Sequence, residues 1–110
     1  MARQSGVTAM QTAAATTGAG TSLLVAGFNR AVFQVTGTFV ATITFQATID
    51  GSNWVTYALS DLSTAARTHA TTQTTTGVYL ADDAYALTAI RANVTAYTSG
   101  TVTIVGSATD

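Results

Sequence analysis

The chain contains no glutamate, lysine, cysteine or proline. Glu and Lys normally clothe the solvated faces of helices and keep small domains dispersed, so their absence argues against a helical protein with a water-facing shell. Without Cys there is no disulfide framework, and the fold rests on its apolar core. Without Lys and Pro, the residues that most often protect sheet edges are missing as well. Charged residues make up 8% of the chain, against about 25% in an ordinary soluble domain. Arg3, Arg30, Arg67 and Arg91 are scattered and the formal net charge is −1. Nucleic-acid binding needs clustered cations to displace counterions, so that class is set aside. There is no apolar run of about 18 residues, the length of a spanning helix, and no membrane partner is expected.

In place of those residues stands threonine, roughly a fifth of the 110 residues. Its β-branch suits a pleated, half-buried surface. A surface wetted by hydroxyls and poor in charge is better suited to being covered by neighbours than to standing alone in solution. The length allows one domain with one core. Residues 1–6 carry one Arg and no apolar stretch, so no secretory leader is read there. The expected location is a cytoplasm, or a larger particle assembled in one.

Residues 1–21 are rich in Ala, Thr, Gln and Gly and are read as an extended N-terminal arm. Such a segment buries little by itself, so it lies either on its own domain or on a neighbour. Val7, Met10, Gln11 and Thr12 are its candidate partner-binding residues. Removing residues 1–20 is expected to abolish partner binding without unfolding the rest.

From residue 22 the pattern becomes period two. Leu23 and Val25 share a face, as do Ala31, Phe33 and Val35. Phe39, Ala41, Ile43, Phe45, Ala47 and Ile49 alternate with Val40, Thr42, Thr44, Gln46 and Thr48, the signature of a strand with one buried face. Asp50, Gly51, Ser52 and Asn53 form a turn cluster, and residues 54–59 return as a hairpin strand. Residues 60–76 are polar and irregular, a long loop or a loop feeding an edge strand. Val78 to Ala81 is a short strand and Asp82-Asp83 a turn. In the next strand, Tyr85 to Tyr97, Ile90, Ala92, Val94 and Ala96 point inward, with Arg91, Asn93, Thr95 and Tyr97 outward. A second turn at residues 98–100 leads to a last strand with Val102 and Ile104 inward. The fold class is all-β: a single antiparallel β-sandwich, jelly-roll-like, of about seven to eight strands over residues 22–110. A helix is conceivable only in residues 61–70 or in the arm.

Catalytic chemistry has little support. Ser63, His69 and Asp61 supply the residue types of a nucleophilic triad, but no glycine elbow accompanies them, and a lone His in a polar loop is ordinarily solvated. No enzyme is expected. Asp50, Ser52 and Asn53 offer oxygens, yet one carboxylate is too few for a calcium loop, and an Asx turn explains them. Asp82-Asp83 is likewise read as turn chemistry. No cofactor or metal is expected. Tyr57, Tyr79 and Tyr97 would suit stacking on sugar rings if they stood exposed; otherwise they plug the core or cover its edges, as Trp54 is placed to do.

Residues 37–46 (GTFVATITFQ), the IDGSNW hairpin at 49–54, the GVY of 77–79 and the RANVTAYTSGTVTI of 91–104 follow one another in an order that resembles small β-sandwich structural proteins of tailed bacteriophages. The elements in common are a G-T-x-x-x-T-x-x-F strand, a DGSNW hairpin, a G-x-Y strand and a closing YTSGTV hairpin. The resemblance covers residues 37–105. It implies a virion structural protein, either a capsid decoration (cement) protein or a module of tail, baseplate or fibre that binds host-surface carbohydrate or a receptor. A single domain with a short arm fits decoration better than a long fibre. The implied partners are further copies of the chain, as a homotrimer, and a major capsid protein or other virion protein. No catalytic residue is implied.

Overall fold

The structure is a computed structural model and describes residues 4–110. The elements run β1 (Thr8–Ala14), β2 (Leu23–Leu24), β3 (Arg30–Thr36), β4 (Phe39–Thr48), β5 (Val55–Thr56), β6 (Leu59–Asp61), β7 (His69–Ala70), β8 (Thr72–Gln73), β9 (Gly77–Ala81), a 3-10 turn (Ala84–Ala86), β10 (Ala89–Gly100) and β11 (Val102–Thr109). One sheet has the order β1-β11-β3-β9-β6-β7; the other has β2-β10-β4-β5, with β8 also pairing β4. All these pairings are antiparallel. The chain is therefore an all-β sandwich. Seven of its strands have three or more residues; the other four are two-residue edge pieces. No α-helix occurs among the described residues.

The alternating strands bury the faces their pattern indicates. Phe33 and Val35 of β3, Ile43 and Phe45 of β4, Ile90 and Val94 of β10, and Val102 and Ile104 of β11 fill the space between the sheets. At its centre the Phe33 and Phe45 rings lie 5.5 Å apart, and Tyr79 packs on Phe45 at 6.0 Å. Such tilted aromatic contacts add to the area they bury.

Two alternations stop early. Ile49 is 73% exposed because β4 ends at Thr48. There the Thr48 hydroxyl turns inward, donates to Asp50 Oδ1 and accepts from the amides of Asp50 and Gly51. In β10 a register shift between Val94 and Ala96 puts Ala96 outside and leaves Tyr97 half-buried against the core. A bulge inserts one residue and moves every later side chain to the other face.

The 98–100 turn is not a hairpin, contrary to the sequence reading. β10 and β11 lie in different sheets, and the chain passes from one to the other there. The β3-to-β4 passage runs alongside in the opposite sense, with the Thr101 amide donating to the Thr38 carbonyl. A Cβ at Gly37 would collide with the Thr101 carbonyl, and one at Gly100 with that of Thr38; φ is +113° and +85° at the two glycines. Only glycine tolerates both the approach and the dihedral without strain.

The sequence-based arm needs correction between residues 8 and 14. These residues form β1, which pairs with β11 at the edge of the six-stranded sheet, and Ser5 also bonds Ala108. Met10 is 2% exposed, inside the core, and Gln11 is 8% exposed. The Gln11 Nε2 donates to Gly18 O (3.0 Å) and to Ala92 O (2.9 Å), closing one side of the sandwich. The opposite side is closed by residues 69–73. They leave the first sheet as β7, give the Thr71 carbonyl to the Phe45 amide, and join β4 as β8.

Candidate interaction surface

With the aromatic core filled, function falls to the surface, and the surface has three kinds of ground. The first is apolar and lies at the sandwich edges. Val55 continues the inward-facing row of Ala47 but sits on the edge, where the facing sheet no longer covers it. With exposed Ile49 and with Leu87, Ala47 and Tyr57 it lines a groove of about 340 Å³ rimmed by Asp50 and Asn53. Across the molecule, Val7 and Leu24, 71% and 68% exposed, line a groove of about 420 Å³ with Phe28 and Ser22. The two lie at opposite ends of the strand order.

The second is the outer face of the six-stranded sheet, where Val32, Gln34, Val78 and Val105 stand on adjacent strands around a shallow hollow without a charged lining residue. The third is the outer face of β4 and β10, where the polar half of the alternation is displayed. The Thr44 and Thr95 hydroxyls meet at 2.9 Å. Gln46 Oε1 accepts from Arg91 Nε at 2.7 Å and from Asn93 Nδ2 at 3.4 Å. Trp54, delivered by the turn after β4, receives the Arg91 guanidinium at 4.4 Å from its ring centroid. Stacking and the short bond together fix the Arg91 side chain.

The residues singled out from the sequence separate accordingly. Val7 and Thr12 are exposed and available to a partner; Met10 and Gln11 are not, because the core and the carbonyls of Gly18 and Ala92 occupy them. Tyr79 is fully buried and donates to Thr75 O at 2.9 Å, so it offers no stacking face to a sugar. Tyr97 is half-buried, its hydroxyl on Gly100 O at 2.9 Å. The half-buried Tyr57 donates to Asp83; burial first, then that hydrogen bond and the Asp83 charge, raise its pKa well above the ordinary phenol range. Tyr85, on the 3-10 turn, stands exposed.

The remaining sites of interest are engaged locally. Asp61 accepts from the amide and hydroxyl of Ser63, which lower its pKa, while His69 pairs through its backbone with Ser60. No hydrogen bond joins His69 to Ser63 or Asp61 among the described residues. The Asp50 carboxylate accepts from the Asn53 amide and side chain, the Ser52 amide and the Thr48 hydroxyl, forming the Asx turn. No group of three metal-ligating side chains occurs among the described residues. No helix there is long and apolar enough to cross a membrane.

No family model matches the chain, and no curated protein matches it. Solved structures do. The SPBc2 prophage-derived protein YomS is similar with a TM-score of 0.87 over 100% of this chain and 96% of its own, at 16% identity. The PBSX exported protein XepA is similar with a TM-score of 0.88 over 99% of this chain, at 17% identity, and the chain spans 38% of XepA's length. At these identities the likeness is one of fold: this sandwich forms nearly the whole of one protein and about two-fifths of the other.

Proposed function

We propose that the chain is a phage structural protein, and more narrowly a capsid decoration protein that binds the outer shell and bridges neighbouring capsid subunits. The observation that carries the phage assignment is the end-to-end likeness to a prophage-derived protein of almost the same extent. The resemblance of residues 37–105 to small β-sandwich structural proteins of tailed phages supports the same assignment. The narrower reading is supported by a surface with few charges and apolar grooves at both edges. One small domain offers modest contact area, and an oligomer gripping several shell subunits gains effective concentration with each further contact. A homotrimer suits the three-fold positions of an icosahedral lattice. The groove flanked by Val7 and Leu24 and the one flanked by Ile49 and Val55 are the surfaces such contacts would cover. The partner is a major capsid protein or another virion protein, the site of action is the virion, and no catalytic step is assigned.

The test is light scattering on the purified chain, followed by co-sedimentation with undecorated shells of the encoding phage. A trimer that pellets with shells supports the proposal; a monomer indifferent to every shell preparation overturns it. A second reading, a module of tail, baseplate or fibre, is favoured by the use of this fold for part of a longer chain in XepA. Its carbohydrate-stacking form would have to rely on residues other than Tyr79, which is buried. Binding to tails in the same sedimentation assay would favour it.

A further inference from the structure

Arg91 is a half-buried cation that the fold orients but does not neutralise. Its Nε donates to Gln46 Oε1 and its Cζ lies over the Trp54 ring. Neither partner carries charge. No ion pair or further hydrogen bond engages its Nη1 and Nη2 atoms among the described residues. Arg67 is held differently: its Nη1 donates to the carbonyls of Leu62 and Thr64 in its own loop, with no aromatic ring against it among the described residues. A guanidinium is a permanent cation with five donors in a planar fork. With the Nε donor committed, the Nη1/Nη2 edge remains, and that edge matches the two oxygens of a carboxylate. Asn93 stands beside it on β10, tied to the same Gln46 oxygen, with the Thr44–Thr95 hydroxyl pair farther along the ladder.

We propose that the Arg91–Trp54–Gln46 cluster is a recognition site for an aspartate or glutamate side chain of a protein partner. Charge complementarity supplies the sign: an oriented cation without an acid calls for one from another molecule. The shape of the surface argues for a side chain over a sugar acid. Arg91, Gln46, Asn93 and Trp54 lie on an open sheet face, none of them lining the grooves described above. Arg91 already covers one face of the Trp54 ring. A carboxylate reaching in end-on needs neither an enclosure nor a ring to stack on. Because the geometry is set by stacking and a bond to an uncharged amide, the fork is pre-organised and loses little freedom on binding.

The inference deepens the proposed function, on which it rests for the partner's being a virion protein. Its test is NMR titration of the intact chain, following the Arg91 Nε–H and Trp54 indole N–H signals. The probes are a glutamate-rich peptide, the matching glutamine peptide and an oligogalacturonate. The glutamate peptide should shift both signals and the glutamine peptide neither. Arg91→Gln should weaken the glutamate interaction about tenfold or more, the scale of hydrogen bonds to a charged group. Arg91→Lys, which keeps the charge and loses the fork, should recover only part of it. Thermal melts of both variants establish that they remain folded. Equal binding by the wild type and a folded Arg91→Gln overturns the site. So does a response to the oligogalacturonate alone, or no response to any probe. Shell co-sedimentation on the same samples separates the two claims. Shells bound equally by wild type and Arg91→Gln retain the decoration reading and remove this site; an Arg91-dependent peptide response without shell binding does the reverse.

Discussion

The Met10 side chain packs over Gly106: a Cβ on Gly106 would stand 2.8 Å from the Met10 sulfur, with Phe33 at 3.1 Å and Leu23 at 3.2 Å. The thioether occupies space that any larger residue at 106 would claim. Gly106→Ala should therefore cost about 1–3 kcal/mol by overpacking, and Met10→Ala about 2–5 kcal/mol by leaving a cavity. Because the two share one space, the double variant should be more stable than the sum of the single losses implies. Urea unfolding of the four proteins measures the coupling; strict additivity would mean that Met10 does not sit against Gly106.

Gln11 joins the two sheets through one side-chain nitrogen. Gln11→Leu keeps the bulk and removes both donors, leaving the Ala92 carbonyl without its partner at a buried position. A loss of about 1–3 kcal/mol follows from the unmet acceptor. The damage should be local: hydrogen exchange at the β1 amides should accelerate before exchange in β4 or β10 does. Uniform acceleration across all strands would contradict this account.

The chain should weaken in acid through its turn at residues 50–53. Hydrogen bonds from the Asn53 amide and side chain, then from the Ser52 amide and Thr48, hold the Asp50 pKa below the usual carboxylate range. A depressed folded pKa stabilises the fold above the unfolded value near pH 4, and that stability is lost as pH falls through the folded value. Asp61, lowered by Ser63, acts in the same sense. Asp50→Asn should flatten the fall in urea midpoint below about pH 4, and adding Asp61→Asn should flatten it further. Parallel pH curves for wild type and Asp50→Asn would refute the assignment.

What the sequence discloses here depends on whether burial alternates. In β3 and most of β4 it does, and the faces read from the residues are the faces the core uses. β1 escapes because its two anchors, Met10 and Gln11, are consecutive; a register shift between Ala9 and Gln11 brings both inward. An Ala/Thr/Gln segment with no period-two pattern looks like a free arm when its partner strand lies at the far end of the sequence. The bulge near Thr95 hides in the same way, since nothing in NVTAYTSG marks where the phase changes. A glycine turn also looks alike whether the next strand pairs back or crosses to the facing sheet, which is why the 98–100 segment reads as a hairpin. At the surface, Arg91 is legible as outward-facing and Trp54 as an edge cover. Their meeting is not, because it depends on how the 50–53 turn delivers the indole across the sheet.

The pairing of β1 with β11 has a consequence for biogenesis. Thr8 faces Gly106, and Gln4 bridges Thr109, so during synthesis the first strand waits for nearly the last one before its sheet edge can form. Long-range closure of this kind is slow. Until β11 leaves the ribosome, the nascent chain exposes the apolar flanks of β3 and a vacant place for Met10. A chaperone, or a neighbouring nascent copy, would find its binding window in that interval.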